Sequence, residues 1–538
     1  MKKGFLLLMS LFAVMLVVTA CGNNDNNNNA ATNVPDDGEV YIPEFNEGLD
    51  PNVPGWMQTD RTERVTLRWF VQAEWWDTRW GEDFITRTIE ELLNIDVEFI
   101  TGNEETLNLI FADGNLPDII TTFDRNSQAV LGAPSWALPL NVLAAEYDPY
   151  FFNVASPDTL GWFRLDDGNT YGYANFSNTT YDYANDLLPA PTSFLIRRDV
   201  HEAIGEMPME TPEEFLAAMD AIAEAFPELV PMGGVGGFGY QFQNYIGVPV
   251  EDANGNFHNR NLDEDYLTWM RTFAEAHNRG HIEDDSFVND WSIMEERIRF
   301  GNYATLFLGS VIHQSGNLQN WATDNPGSEY IAIDGPASTL GRERTLGQAG
   351  ISGWMINHIS RDAHAEAAIQ LFTFLLSEQG QLLTFYGVEG ETFEWNEDGT
   401  IAMNADIIEL RETDGSAHHS QYRFGEFFFF GHDSWRRLNP DQWQEAIRQP
   451  LEWGRGRLVP QFVIEAIDPE QGSLEARSLD AINTEWARIQ IELVRSSGGA
   501  DFDALVAEYE AFINNNNWDS IMEIRNANMQ INRERLGL

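Results

Sequence analysis

The chain has 538 residues and a formal net charge of −53 at pH 7, with 85 acidic residues against 32 basic ones. This charge argues against nucleic acid as a partner, because phosphate groups require a basic surface. Cys21 is the only cysteine, which excludes a disulfide within one chain and a zinc site built from thiolates. Lys2 and Lys3 are the only lysines, so Schiff-base and P-loop chemistry are excluded from the rest of the chain.

All basic residues after Lys3 are arginines. Arginine keeps its charge above about pH 12, whereas lysine loses its proton near pH 10.4. Salt screens the repulsion within an acidic surface, with a Debye length of about 3 Å at 1 M. The composition therefore suggests the hypothesis of a salty, alkaline environment, with undirected drift in composition as the alternative.

The first 20 residues have the pattern of a secretory signal peptide. Lys2 and Lys3 precede an apolar run from Phe5 to Val18, and a run of about 14 residues is too short to span a bilayer. Residues 18–21, Val-Thr-Ala-Cys, resemble the bacterial lipobox, in which the cysteine receives a diacylglyceryl group. The resemblance implies lipidation of Cys21 and a protein anchored by acyl chains at the extracytoplasmic face of the cell membrane.

The segment that follows is rich in Asn, Asp, Gly and Pro and has no periodic apolar pattern. We expect residues 21–58 to form a lipidated, disordered tether. About 480 residues remain, which is more than one ordinary core accommodates, so two lobes are expected.

Strand and helix patterns alternate from residue 65 onwards. Residues 65–70, 95–100 and 119–122 are predicted strands, and 81–94 and 107–112 are predicted helices, which indicates a parallel sheet. Thr211, Pro212 and Glu214 form the capping box of a further helix. Helices are also predicted over 362–378, ended by Gly380, and over 474–496 and 502–514.

Motifs spread over residues 60–530 resemble the extracellular solute-binding proteins of the maltose-binding type, in the large LplA-like lipoprotein branch. Asn169 stands where these proteins usually have lysine. The matching motifs are Phe-Ala-Asp-Gly-Asn-Leu-Pro-Asp-Ile-Ile at 111–120, Leu-Pro-Leu at 138–140, Asp-Gly-Asn-Thr-Tyr-Gly-Tyr at 167–173, Arg-Arg-Asp at 197–199, Thr-Pro-Glu-Glu-Phe at 211–215, Gly-Val-Glu-Gly-Glu-Thr-Phe at 387–393, and the region of Trp518.

The resemblance implies an α/β protein with a type II periplasmic-binding-protein fold, in which two α/β lobes surround a ligand cleft and several hinge crossings join them. We expect residues 59–185 and 336–410 in the first lobe, and 186–335 and 411–538 in the second. A protein of this kind is a monomeric receptor that delivers a small molecule or an oligosaccharide to an ABC permease. It is not an enzyme and uses no cofactor.

Binding sites for sugars combine aromatic platforms with groups that form hydrogen bonds in the plane of the ring. Trp75 and Trp76 follow the first predicted strand, and at least one of them is expected to stack on the ligand, with Arg79 nearby. Asp124 and Arg125 follow the strand at 119–122 and resemble a similarly placed Asp-Arg pair of maltose-binding protein.

Further candidates come from later segments of the chain. Trp354 is expected on a strand that returns to the first lobe, where relatives of this family place a sugar-stacking aromatic. Tyr173 and Asn175 follow a hairpin near the hinge. Trp435 and Arg436 follow a run of four phenylalanines that is expected in the core. Whether Arg79 or Arg436 contacts a uronate carboxylate stays open.

Two other functions remain possible at this point. One is a receptor for a solute other than sugar, such as a peptide. The other is a surface glycoside hydrolase, which requires two carboxylates about 5–9 Å apart on either side of a sugar bond. Pairs of this kind arise by chance in a chain with 85 acidic residues, so the sequence does not identify one.

Overall fold

The computed structural model describes most of the chain beyond the N-terminal segment. Three residues predicted to be functional, Cys21, Asp124 and Arg125, lie outside the described residues. Among the helices of the described part, none is long and apolar enough to cross a membrane. The described residues are 40–123, 132–233, 238–287, 291–338, 345, 350–361, 364–436, 439 and 443–538.

The strands form two separate larger sheets and one hairpin. The first sheet has the order β2-β1-β3-β9-β4, the second has the order β6-β7-β5-β8, and β10 pairs with β11. The strands are β1 (Val65–Val71), β2 (Ile95–Thr101), β3 (Ile119–Thr122), β4 (Gly172–Ala174), β5 (Ser193–Arg197), β6 (Val230–Gly233), β7 (Tyr303–Leu308), β8 (Tyr330–Ala332), β9 (Ile356–Ile359), β10 (Phe393–Trp395) and β11 (Ile401–Met403).

The first sheet is mixed. Strand β1 runs parallel to both β2 and β3, as the alternation of strands and helices predicted, whereas β9 runs antiparallel to β3 and β4. In the second sheet β6 and β7 are parallel, and β5 runs antiparallel to β7 and β8. All residues of β3, β7 and β9 are buried, which is expected of strands covered by helices on both faces.

The helices of the first lobe surround the first sheet, and most of them contribute to its core. They are Gly55–Gln58, Phe84–Leu93, Glu104–Asp113, Leu140–Tyr147, Phe151–Val154, Pro157–Trp162, Ala365–Leu376, Glu378–Tyr386, Ala405–Thr413 and Gly415–Tyr422. Gly380 does not end the helix predicted over 362–378. Ser377 ends that helix and accepts the Gly380 N–H at 3.2 Å, so it caps the helix that follows.

The helices around the second sheet include three long ones at the C-terminus. They are Arg198–Ala203, Pro212–Ala225, Tyr240–Tyr245, Glu264–Asn278, Trp291–Arg299, Ser315–Asp324, Glu445–Gly454, Leu474–Arg495, Ala500–Asn514 and Trp518–Leu536. The predicted capping box is present: Thr211 Oγ1 accepts the Glu214 N–H at 3.3 Å, and Glu214 Oε2 accepts the Thr211 N–H at 3.0 Å.

Each sheet has its own hydrophobic core, and the chain passes between the two lobes after β4, after β8 and again before Glu445–Gly454. The short helices Thr180–Ala184 and Asp433–Arg436 lie in these crossings. The four phenylalanines at 427–430 pack in the core of the first lobe. The first lobe therefore extends beyond the boundary predicted at 410/411.

Residues 40–58 are not a disordered tether, contrary to the prediction, because they pack on the first lobe. The Gly55 N–H donates to the Asp148 carboxylate at 2.8 Å. The ring of Trp56 lies edge-on to Phe374 with centroids 5.4 Å apart. The structured part of the chain thus begins well before β1.

The crossings are packed against each other and against the C-terminal part of the chain. Trp162, Ile351 and Phe462 form a small buried cluster. The Glu465 carboxylate accepts the backbone N–H groups of Ile351 at 3.1 Å and Ser352 at 2.8 Å. This connection holds one crossing segment in a defined path between the lobes.

Candidate functional site

One edge of the first sheet gathers aromatic side chains from several segments. The strands β1, β3 and β4 end at this edge, and the antiparallel strand β9 begins there. The residues beyond these strand ends are Trp75, Phe123, Asn175 and Trp354. Ligands of open α/β sheets bind beyond the carboxyl ends of the strands, so this edge is the candidate site.

Three rings form a surface at this edge, which we call the aromatic wall: Trp75, Trp354 and Phe428. Their centroids are 5.3–6.4 Å apart, and their planes lie within 31° of one another. If the three rings were stacked in one column, the centroids of the outer two would be twice as far apart as those of neighbouring rings. The three distances are instead similar, so the rings also lie beside one another. Trp75 is 56% exposed and Trp354 46% exposed, while Phe428 is buried behind them.

The buried side chain of Asn175 connects segments of the aromatic wall through hydrogen bonds. It is 1% exposed, its Nδ2 donates to the Phe428 carbonyl at 3.0 Å, and its Oδ1 accepts the Met355 N–H at 2.7 Å. Its own carbonyl accepts the Trp354 N–H at 3.2 Å. Asn175 is therefore a positioning residue, and the direct ligand contact predicted for it is contradicted by its burial.

The turn before Trp354 requires a glycine. Gly353 has φ +63°, and a Cβ at this position would lie 2.2 Å from the Asn175 carbonyl oxygen. Any other residue would be strained by the positive φ and would collide with a backbone atom that the wall needs. The sequence Gly353-Trp354 thus fixes where the second tryptophan stands.

A cation lies at one end of the wall. The ring of Phe176 continues it, 6.5 Å from Phe428, and the Arg436 guanidinium carbon lies 4.9 Å from the Phe176 centroid. Asp433 is 3.5 Å from Arg436 Nε, and this Nε is buried and has no hydrogen-bond partner among the described residues. The guanidinium places a positive charge at the end of the wall, and such a charge can attract a carboxylate.

Two residues of the second lobe follow the ends of β6 and β7. Tyr240 follows β6 and is 57% exposed, and partial burial raises the pKa of its phenol. His313 follows β7, and its pKa is lowered by burial and by the positive charge of Arg436. Arg436 thus acts electrostatically on the second lobe.

Two predicted residues lie in the core instead of the site. Trp76 and Tyr173 are each 6% exposed. The Trp76 ring packs edge-on to Phe428 with centroids 5.7 Å apart, and the Tyr173 hydroxyl accepts the Ser156 N–H at 3.0 Å. The Trp76 ring has no exposed face for a sugar, which leaves Trp75 as the member of the pair that can stack on a ligand. Tyr173, predicted as a ligand-binding residue, contributes to the lining of a cavity beside the hinge.

The remaining two predicted residues have different surroundings. The Arg79 side chain is 78% exposed and lies 3.8 Å from Glu82, and its contacts do not connect it to the wall. Trp435 is half-buried and lines a cavity of about 450 Å³ beside the hinge, together with Phe176, Asp182 and His432. Burial opposes ionisation of Asp182, but His432, 3.3 Å away, outweighs it and lowers the pKa of this carboxyl.

Sequence reasoning missed Phe176, Phe428 and Tyr240. Phe428 belongs to a run of phenylalanines that was predicted to lie in the core, and it lies at the edge of that core. Phe176 has a positive φ of 46°, and no local sequence pattern predicts this conformation. Among the described residues, no group of three His, Cys, Asp or Glu side chains could hold a metal ion.

No family model matches the chain. The sequence is 23% identical over 359 residues to the polygalacturonan/rhamnogalacturonan-binding protein YtcQ of Bacillus subtilis strain 168. The aligned region covers 62% of this chain and 68% of that protein.

Solved structures of binding proteins superpose on most of the chain. The alginate-binding protein AlgQ2 matches with a TM-score of 0.61 and 15% identity, covering 87% of this chain and 98% of that one. The Streptococcus pneumoniae ABC-transporter substrate-binding protein FusA, in complex with kestose, matches with a TM-score of 0.61 and 15% identity over 87% and 99% of the two chains. The N-glycan transport solute-binding protein NgtS of the same species gives 0.60 and 13% over 87% and 99%. The chain therefore has the two-lobe α/β fold of the periplasmic solute-binding proteins, which confirms the fold predicted from its motifs.

Proposed function

We propose that this protein is the receptor component of an ABC importer and binds a carbohydrate, most favourably an oligosaccharide, between its two lobes. The observation that carries the proposal is the aromatic wall, where Trp75 and Trp354 are nearly parallel at 13° and about half exposed. Large apolar rings are costly to expose in a groove without a ligand to cover them. Flat sugar faces are the natural partner of such rings.

The named relatives support this class of ligand. YtcQ is named for binding polygalacturonan and rhamnogalacturonan, AlgQ2 is named for binding alginate, and FusA was solved in complex with kestose. All three are described as binding proteins. The fold also suits capture and release, because a ligand that touches both lobes favours the closed arrangement over the open one.

Arg436 favours a sugar that carries a carboxylate. Its guanidinium stacks on Phe176 at the end of the wall, so a uronate whose ring lies on the tryptophans could extend its carboxylate toward this positive charge. The large negative charge of the protein slows the approach of such a ligand without preventing local binding.

Several parts of the proposal concern the setting of the protein. Residues 1–20 serve as a signal peptide, and Cys21 carries the lipid that anchors the protein at the extracytoplasmic face of the membrane. The protein works as a monomer beside its permease. The first lobe comprises residues 40–185 with the returning segment through the phenylalanine run, and the second comprises 186–335 with the C-terminal helices.

Isothermal titration calorimetry against digests of acidic and neutral polysaccharides tests the proposal. We expect an oligosaccharide to bind with a dissociation constant in the micromolar range or tighter, and the intact oligosaccharide to be recovered afterwards. Trp75→Ala and Trp354→Ala should each weaken binding about tenfold or more. Steady release of reducing ends would indicate a hydrolase, and binding of a peptide panel without any sugar would indicate a peptide receptor; either result overturns the proposal.

A further inference from the structure

A second cavity lies where the C-terminal helix of the second lobe meets the first sheet. We call it the seam cavity; it has a volume of about 240 Å³ and is lined by Trp162, Arg164, Ser352, His358, Asn528 and Arg535. No residue of the aromatic wall lines it. An apolar cavity of about 150 Å³ holds a benzene molecule, so the seam cavity has room for a small organic acid.

Two residues that line this cavity each have a buried polar atom without a hydrogen-bond partner among the described residues, namely Ser352 Oγ and His358 Nε2. Ser352 is 2% exposed and His358 is 1% exposed. Buried polar atoms are nearly always paired, because an unpaired one costs about 1–3 kcal/mol. Two of them at one cavity point to a polar molecule that occupies it.

The tautomer of His358 shows what that molecule must offer. Its Nδ1 lies 2.9 Å from the Tyr171 carbonyl, and a carbonyl only accepts, so Nδ1 carries the proton. Burial lowers the pKa of His358 to about 4, so the ring is neutral at physiological pH and Nε2 is an acceptor. The molecule in the cavity must therefore donate a hydrogen bond to this nitrogen.

Two arginines give the cavity its charge. Within the described part of the chain, neither Arg164 nor Arg535 forms an ion pair or a side-chain hydrogen bond, although the protein has 85 acidic residues. Burial of the Arg535 guanidinium and repulsion from Arg164 lower the pKa of Arg535, against the opposite effect of Asp166. As a whole residue, Arg535 is exposed to solvent. Two cations that repel each other across a cavity favour an anion between them.

We propose that the seam cavity binds a small oxyanion that also carries a hydroxyl group, such as a hydroxy acid or hydrogen phosphate. The two guanidinium groups bind its charged oxygens, and its hydroxyl donates to His358 Nε2. Arg164 belongs to the first lobe and Arg535 to the helix Trp518–Leu536 of the second. The anion therefore bridges the lobes at the seam and stabilises their arrangement, whether or not the aromatic wall holds a sugar.

Thermal unfolding and titration calorimetry at constant ionic strength and mildly alkaline pH test this inference. The probes are gluconate and phosphate, which carry a hydroxyl group, and acetate and sulfate, which do not at this pH. Gluconate is an open chain without a flat ring, so it does not imitate a sugar on the wall. We expect gluconate or phosphate to raise the melting temperature with a saturable dependence and to bind at least about tenfold more tightly than acetate or sulfate.

Variants connect this response to the cavity. Arg164→Gln and Arg535→Gln should each weaken binding about tenfold or more, since a hydrogen bond to a charged group is lost. Arg87→Gln makes the same change of charge at an exposed position of another helix and should bind as the wild type does. An equal response in all three variants overturns the inference, as does the absence of any response in the wild type. If either cavity variant fails to fold, the wild-type probes still decide, because equal binding of phosphate and sulfate overturns the ligand class.

Discussion

The replacement Asn175→Ala tests whether a buried amide holds the aromatic wall in place. The change removes the hydrogen bonds to the Phe428 carbonyl and the Met355 N–H. It leaves the Met355 N–H buried without a partner, whereas the Phe428 carbonyl keeps the Gly431 N–H at 2.9 Å. An unpaired buried group costs about 1–3 kcal/mol and a lost hydrogen bond about 0.5–1.5 kcal/mol, so we expect a loss of about 1.5–4.5 kcal/mol in the free energy of unfolding. For a domain of about 150–250 residues, 1 kcal/mol corresponds to roughly 2–4 °C in melting temperature.

Differential scanning calorimetry measures this loss, and Asn153→Ala provides a matched control. Asn153 is exposed and makes one side-chain hydrogen bond, to the Pro51 carbonyl, so its replacement should cost less than about 1 kcal/mol. We expect Asn175→Ala to melt at least about 3 °C below the wild type and to bind oligosaccharide more weakly, because Trp354 and Phe428 lose their common support. If the two alanine variants melt at the same temperature, Asn175 does not hold the wall as described.

Three further predictions concern other parts of the structure. Gly353→Ala should destabilise the protein and weaken oligosaccharide binding, whereas Gly390→Ala, also at a positive φ but with no atom within 4 Å of the added carbon, should cost only the backbone strain of about 1–3 kcal/mol; equal effects in calorimetry would contradict the collision at Gly353. Burial raises the pKa of Asp148 to about 6, above its unfolded value near 4, so the free energy of unfolding should fall by up to about 3 kcal/mol as pH rises from about 4 to about 6. Denaturant titrations should show that Asp148→Asn lacks this loss. If the free energy of unfolding of the variant and of the wild type changed equally with pH, the prediction would be refuted. The melting temperature should rise between about 0.05 and 1 M NaCl as salt screens the net charge of −53, and a flat profile would show that repulsion does not limit stability.

Strand positions and a helix start could be predicted from the local sequence. Apolar β-branched runs placed β1, β2 and β3 within one residue of their observed ends, and a capping box located the start of the helix Pro212–Ala225. The position of Trp75 just beyond a predicted strand was sufficient to place it at the edge of the sheet, whereas Trp354, predicted on a strand, lies just before β9. Each of these features depends on residues close together in the chain.

What the sequence did not predict depends on contacts between distant segments. Asn175 and Phe428 are 253 positions apart, and the sequence around either residue does not predict their contact. The same holds for residues 40–58, whose polar composition resembles a tether although Gly55 is bound by Asp148, 93 positions away. Burial of Trp76 and Tyr173 likewise follows from the phenylalanine run at 427–430, which packs under the sheet edge from a remote part of the chain.

The central claim is that an intact oligosaccharide lies between the lobes with a ring on the aromatic wall. A crystal structure with the tightest-binding oligosaccharide tests it most directly. We expect a sugar ring about 4 Å from the face of Trp75 or Trp354, with contacts to side chains of both lobes and every glycosidic bond unbroken. A ligand bound elsewhere with the two tryptophans still facing solvent, or a cleaved sugar in the groove, would contradict the claim.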